Sequence, residues 1–312
     1  MNDFKKKLMS KNGKITMLLA KDMLTLSEGD RIKTFGQYAE AFNIGRGTVQ
    51  SAIKLLQDEE AIKLESRGHL GTFIIWMDYK KLWSISDLGV IMGVMPLPYS
   101  RRYEGLATGL FKVFEKADIP FSLAFMRGAS KRTQALNLDK YDFAIVSKLA
   151  ASLEIRKSSD IEIIHEFSEG SYVKKHVVIF REKNEDEIRD GMRVAIDPMS
   201  IDQVILTSCE CEGKNVDYIE TSYSQIIQKM KNNEIDAAVW SGDEIEEKSL
   251  DFKVCPLNKP KSIELGRDDT IATIVVSKNN KEFAHILKRF IKMEEVEHIQ
   301  KLVIDEKIIP AY

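Results

Sequence analysis

Apolar positions in the first quarter of the chain repeat at helical intervals. Ile15, Leu18, Leu19, Met23 and Leu26 fall three and four residues apart, which predicts a helix with one apolar face from Asn12 to about Leu26. The polar run Ser27, Glu28, Gly29, Asp30 stops it. Thr34 precedes Gln37 by three residues, the spacing at which a hydroxyl accepts from a first-turn amide while the Gln side chain reaches back, so a short helix should run from Phe35 to Phe42. A turn at Asn43, Ile44 and Gly45 leads to a third helix, Thr48 to about Gln57, with Val49, Ala52, Ile53 and Leu56 on one face. Its other face carries Gly47, Gln50, Ser51 and Lys54, with Arg46 beside its start. A strand at 61–66, a glycine-containing loop at 67–71 and a returning strand at 72–75 follow. Two short helices about a tight turn, then a β-wing, form the pattern of a winged helix-turn-helix. On spacing alone, an ordinary amphipathic hairpin with a solvated face fits the two helices as well.

Beyond Asp78 the pattern changes. Residues 78–88 read as a linker. Strand Val90–Met95, helix Arg102–Lys116, strand Ile119–Met126, helix Arg127–Leu138 and strand Phe143–Ser147 make a β-α-β-α-β series, which implies parallel pairing. A second series follows: strand Arg193–Ile196, helix Ser200–Cys209, strand Val216–Ile219, helix Ser222–Asn233 and strand Ala237–Trp240. Two β-rich stretches, 173–180 and 270–277, are suited to crossing between the two copies, and helices at 282–293 and 296–302 close the chain. The expected division is a head at 1–77, the linker, and an α/β domain at 89–312 with one lobe at about 89–172 plus 277–312 and another at about 181–270.

Composition narrows the function classes. The 312 residues exceed the usual size of one core, and 44% hydrophobic with 30% charged residues describes a globular chain rather than a disordered one. The longest apolar run, Leu88–Tyr99, contains two prolines and is shorter than a membrane span. Lys11, Lys14 and Lys21 interrupt any signal-peptide core after Lys5, Lys6 and Lys7, and three cysteines cannot form a disulfide framework. A cytoplasmic protein without a membrane partner is expected. Residues 1–77 carry 12 Lys/Arg against 9 Asp/Glu, whereas the rest carries 34 against 39, so contact with nucleic acid should be confined to the head.

The string FGQYAEAFNIGRGTVQSAIKLLQDEEAIKLESRGHLGTFI resembles the winged helix-turn-helix of GntR-type transcription regulators. The resemblance puts Arg46, Thr48 and Gln50 at the start of the recognition helix and Gly71, Thr72 and Phe73 on the returning wing. Ser51 and Lys54 on the helix and Arg67 and His69 in the wing complete the expected face for double-stranded DNA. Gly45 stands where that family has a capping Ser, and Ala61 where it usually has Gly. The two-lobe part is similar to the type II periplasmic-binding-protein fold, also used as the effector domain of LysR-type regulators, through its element order and the Gly191–Pro198 opening of the second lobe. Head and sensor together resemble the YhfZ family of proposed regulators. The resemblance implies a ligand-responsive transcription regulator, with a small metabolite in the C-terminal cleft. The head's small net charge adds an expected homodimer on an inverted-repeat operator, since doubled half-sites supply the phosphate contacts that one head lacks.

Ligands of open α/β sheets bind at the carboxyl ends of strands. The loops at 96–100, 127–130, 147–148, 197–200 and 240–243 qualify, which makes Tyr99, Ser100, Arg127, Ser130, Ser147, Lys148, Ser200, Trp240 and Asp243 candidate ligand residues. Ser130 and Ser200 should open helices and present amides, or serve as N-caps only. Arg101, Arg102, Arg127 and Lys148 favour an anionic metabolite, although the first two also suit solvated helix-start positions. Trp240 could stack on the ligand or pack in the core. The five histidines show no HxH or HExxH spacing, the cysteines no CxxC, and neither a GxSxG nor a P-loop occurs. No cofactor, metal or catalytic residue is expected, and the chain reads as a non-enzyme. An enzyme or plain binding protein on the same fold, with the winged helix serving protein contacts, is the alternative, because catalytic groups need not be contiguous.

Overall fold

The computed structural model describes residues 10–157 and 160–312, apart from the side chains of Lys281, Glu282 and His285; Lys5, Lys6 and Lys7 lie outside the described residues. The chain divides into two units. One comprises the residues through Ile91 with Lys116–Pro120 and His285–Arg289, and the other the remainder.

In the first unit, α1 (Lys11–Met23) is capped by Ser10, whose Oγ accepts from Gly13 N at 3.0 Å. The Thr34–Gln37 capping box forms in both directions and opens α2 (Phe35–Ala41). Helix α3 (Arg46–Asp58) starts at Gly45, which is extended and offers no side-chain cap. Val49, Ala52, Ile53 and Leu56 are buried, as are Leu19, Met23 and Tyr38. Strand β1 (Ile62–Ser66) pairs antiparallel with β2 (Thr72–Met77), and Arg31 adds a single bridge to Phe73. At Gly71 the backbone takes φ +101°, a conformation that calls for glycine, and the Arg31 side chain lies against it, 2.6 Å from where a Cβ would stand. The segment expected as a linker is instead helical. Asp78 accepts from Lys81 N at 3.0 Å and starts α4 (Tyr79–Ser86), whose Leu82, Trp83 and Ser86 share one buried face against α1.

The second unit holds two lobes. The first lobe contains β3 (Ile91–Met95), α5 (Arg101–Lys116), β4 (Phe121–Phe125), α6 (Ala129–Asn137), β5 (Phe143–Ser147), α7 (Lys148–Arg156) and β6 (Ile161–Glu166). The second contains β7 (His176–Phe180), β8 (Arg193–Ile196), α8 (Ile201–Glu210), β9 (Asp217–Glu220), α9 (Ile226–Lys231), β10 (Ala237–Ser241), α10 (Gly242–Glu247) and β11 (Lys253–Pro256). Then come α11 (Pro260–Asp269), β12 (Ala272–Ser277), α12 (Lys281–Phe290) and α13 (Met293–Ile304).

The sheets run in the orders β4-β3-β5-β12-β6 and β11-β7-β10-β8-β9. The β-α-β pairs β3/β5, β8/β9 and β8/β10 are parallel, whereas β12 and β7 are antiparallel to their neighbours. The stretches expected to cross between lobes are therefore sheet strands, and the crossings precede them, at 167–175 and at 257–271, where α11 touches both α7 and α8. Central strands such as Phe143–Ser147 and Ala237–Ser241 are buried at every position because helices cover both faces. Helix α13 closes the first lobe against α5. A Cβ at Gly105 would lie 2.9 Å from Gln300 O and one at Gly109 2.6 Å from Val296 O, so backbone meets backbone there.

Candidate functional site

The exposed face of α3 is the first site. Arg46, Gln50, Ser51 and Lys54 are exposed and Thr48 half-buried, opposite the buried row of Val49, Ala52, Ile53 and Leu56. Arg46 reaches the start of α2, since a Cβ on Gly36 would stand 3.2 Å from its Nη2. On the wing, His69 is exposed, while Arg67 sits over the Phe73 ring at 4.7 Å and pairs with Glu65. Arg31, which the sequence pattern did not single out, borders the same wing through its contact with Gly71. Its bridge to Phe73 spans a sequence separation that local periodicity does not register.

The second site is a cavity of about 100 Å³ between the lobes. Loops after β3, β4 and β8 supply Tyr99, Arg127 and Ser200 to its wall, and Ser241 at the end of β10 and Glu244 in α10 complete that side. Ion pairs hold the lobes together around it. Arg127 Nη2 stands 2.8 Å from Asp197 Oδ2, and Asp197 also accepts from Met199 N and Tyr223 N. Arg102 pairs with Asp243 at 3.3 Å and donates to Gly170 O, while Arg101 N donates to Glu247 at 3.1 Å.

The interior of the cavity is acidic and aromatic. Asp202 of α8 and Asp269 at the end of α11 both border it, both are buried, and their carboxyls are in hydrogen-bond contact. Burial first, and then the charge of Asp269, push the Asp202 carboxyl well above the usual range. Arg132 also lines the cavity, where its charge opposes part of that rise, and it donates to Ile145 O, Met126 O and the Tyr172 hydroxyl. Tyr103 meets Tyr172 edge to face at 5.2 Å, and Tyr223 stacks on Trp240 at 3.7 Å. Burial raises all four cavity tyrosines, Tyr99, Tyr103, Tyr172 and Tyr223, so they remain neutral phenols at neutral pH.

Comparison with known proteins places this architecture. The YhfZ C-terminal domain matches residues 78–312, well over half of the chain. The chain belongs to the YhfZ family. A helix-turn-helix domain matches residues 27–74, the region that carries the α3 face. The protein YhfZ of Escherichia coli (strain K12) is 35% identical over 231 residues, 74% of this chain and 75% of that protein. The crystal structure of YhfZ from Shigella flexneri superposes with a TM-score of 0.61 at 30% identity, covering 75% of this chain and 97% of that one. Outside the YhfZ family, the periplasmic aliphatic sulphonate binding protein SsuA of Escherichia coli shares the fold, with a TM-score of 0.52 at 13% identity over 70% of this chain and 74% of that one. The YhfZ-family chain is thus an α/β protein with an N-terminal helix-turn-helix and a periplasmic-binding-protein-like domain. No helix among its described residues is long and apolar enough to cross a membrane.

The cleft of this YhfZ-family chain redistributes the expected ligand residues. Tyr99, Arg127 and Ser200 line the cavity. Ser130 does not, because α6 opens at Gly128, whose φ of +83° and 2.8 Å approach to Met199 O leave no room for a side chain; Ser130 is exposed and donates to Glu154. Ser147 caps α7, accepting from Ala150 N at 3.0 Å, and contacts Asp202 behind the wall. Lys148 pairs with Glu166 at 3.0 Å, and Ser100 is buried beside the start of α5. Trp240 is in the core with one face covered by Tyr223, and Asp243 is occupied by Arg102 and Lys174 N. The expected anion subsite is corrected in the same way: Arg101, Arg102, Arg127 and Lys148 each face a carboxylate, Glu306, Asp243, Asp197 and Glu166. Asp202, Asp269, His176, Arg132 and the tyrosines at 103, 172 and 223 were not legible, since an acid in a first helical turn, as at Asp202, or an acidic pair at 268–269 reads as solvated surface.

Proposed function

We propose that this chain is a cytoplasmic transcription regulator of GntR-like head type, binding double-stranded DNA through α3 and the wing and responding to a small metabolite held between its two lobes. The exposed Arg46, Gln50, Ser51 and Lys54 face within the helix-turn-helix match carries the reading. With its N-terminal residues in the major groove, α3 offers Arg46 and Gln50 to base edges and Lys54 to phosphate, while His69 and Arg67 approach the flanking backbone. A head with so few cations neutralises few phosphates, so two heads of a homodimer on an inverted repeat are needed for specific affinity. The two-lobe domain acts as sensor rather than enzyme. Its closure by Arg127–Asp197 and Arg102–Asp243 gives a bistable element that a ligand can bias, and a coupling of about 1 to 3 kcal/mol suffices to change operator occupancy.

Selection of duplexes from a random pool with the full chain, followed by salt titrations, tests this. Arg46→Ala should weaken the selected duplex by about 1 to 3 kcal/mol, and Lys54→Ala should reduce the salt slope by about one. Unchanged affinity and slope in both variants would sink the DNA-binding assignment, and sedimentation showing only monomer on the selected duplex would sink the dimer.

A further inference from the structure

Apart from the contact between the two carboxyls themselves, Asp202 Oδ1 and both oxygens of Asp269 accept no hydrogen bond from any described residue. Asp269 Oδ2 alone has a nitrogen within reach, His176 Nδ1 at 3.0 Å. Asp269 is fully buried, Asp202 is 7% exposed, and both border the cavity. Unpartnered buried acceptors carry their whole desolvation penalty, and two adjacent carboxylates add mutual repulsion. Such a pair is costly unless a proton or a donor from outside the chain relieves it.

The surroundings define what that donor is. Ser147 touches Asp202, and Arg132 donates one N–H each from Nε, Nη1 and Nη2 to the neutral acceptors Ile145 O, Met126 O and the Tyr172 hydroxyl. Arg127 is held by Asp197, and Glu244 by Lys248 at 2.7 Å. An anion entering here would meet the Asp202–Asp269 pair and Glu244; among the described residues Arg132 is the lining arginine not paired with a carboxylate, and its single charge faces two carboxyls. Tyr99, Tyr103 and Tyr223 present neutral rings to the same space, surfaces that attract positive charge and cover hydrocarbon.

We propose that the cleft takes a small protonated primary amine, its ammonium seated between Asp202 and Asp269 and its carbon portion beside Tyr99, Tyr103 and Tyr223. This rests on the regulator reading, for which the amine is the effector. An ammonium brings three N–H donors to a carboxyl pair that is short of them, with His176 Nδ1 beside Asp269 Oδ2 as the nitrogen already in reach. Without ligand, a proton on Asp202 relieves the repulsion. The ammonium takes over that role, so amine binding should expel this proton to solvent, with Asp269, Arg132, His176, Tyr172 and Ser147 as the groups facing the exchange.

The test uses the full chain with propylamine, 1,4-diaminobutane and benzylamine against propionate, succinate and propane-1-sulfonate at millimolar concentration. At least one amine should raise Tm while the anions do not. Calorimetry in two buffers of different ionisation enthalpy should show proton release on amine binding. Asp202→Asn and Asp269→Asn should each weaken the amine by about tenfold or more; proton release in the unaltered chain keeps the proposal testable if either variant fails to fold. Anion binding in preference to amines, no amine binding, binding without proton release, or full amine affinity in both folded variants would each overturn it. The selected duplex separates the two readings. An amine that binds with proton release but leaves duplex affinity unchanged keeps the site and removes ligand control, whereas an anion that binds and shifts duplex affinity keeps ligand control and removes the amine site.

Discussion

Arg127 of the first lobe and Asp197 of the second meet at 2.8 Å across the cleft, and the Asp197 carboxylate also gathers the backbone amides of Met199 and Tyr223. Those two amides keep hydrogen bonds on Asp197 when the arginine leaves, which lowers the cost of parting the pair although the buried carboxylate loses its cation. It is suited to opening.

Arg127→Met should therefore favour parted lobes. The Arg127 side chain is 36% exposed but Asp197 only 4%, so leaving that carboxylate without its cation should cost about 1 to 3 kcal/mol, less as the lobes part and water reaches it. Small-angle scattering of the ligand-free variant should give a larger radius of gyration than the unaltered chain. Identical scattering curves would show that this pair does not hold the cleft shut.

Acid should weaken the second lobe through Asp236. Its carboxylate accepts from Arg193 N, Nε and Nη2 and from Arg181 Nη2, and chiefly the Arg193 side chain lowers its pKa to about 2. A depressed acid stabilises the fold above its unfolded pKa, near 4, and loses that contribution as pH falls through about 2. Asp236→Asn should cost about 1 kcal/mol at pH 7 after allowance for solvent screening, and the gap should close between about pH 4 and pH 2. Urea midpoints of both proteins across that range check the sign.

Gly109→Ala probes the seam between α5 and α13. The added methyl would stand 2.6 Å from Val296 O and 2.9 Å from Val296 Cγ1, so the helices must separate. The overpacking should cost about 1 to 3 kcal/mol in chemical denaturation, despite the better helix propensity of alanine. A variant as stable as the parent would mean that the seam yields freely.

Gly45→Ser should act in the opposite direction. Gly45 is extended at φ −74° and ψ 146° with no atom within 4 Å of a Cβ, so serine fits and its hydroxyl can accept from the first turn of α3. A gain of a few tenths of a kcal/mol is expected, since glycine is already a fair N-cap. Thr34→Ala, which removes half of the capping box, should instead cost about 1 kcal/mol. Thermal melts of the two variants should move apart.

Local signals were well preserved in the sequence. Thr34 and Gln37 announced α2, the Val49, Ala52, Ile53, Leu56 row announced α3, and strands Phe143–Ser147 and Arg193–Ile196 fell where the apolar runs put them. Helix α7 escaped because Ser147 is both the last residue of β5 and the N-cap of the helix, with no turn between them to mark a boundary. Trp83 and Leu82 lie on one face too short to register as a periodic segment, so α4 passed for a linker. The cleft was legible as loops but not as chemistry. Arg127 looked like a free cation because Asp197 is 70 residues away, and Arg102 likewise because Asp243 is 141 away. Charges that cancel only in the folded chain cannot be balanced by reading neighbours.

The strand β12 lies between β5 and β6, and α13 seals the same lobe, so the first lobe is interrupted by the whole of the second. During synthesis the order of completion is therefore the reverse of the order of appearance. Residues 176–256 contain every strand of the second sheet and can finish it while the first sheet still lacks a central strand. Until residues 272–304 emerge, β5 and β6 have unpaired edges facing one another, an open slot that any other extended segment could occupy. The nascent chain's hazard is thus concentrated in one lobe and one interval, which ends when β12 enters the slot.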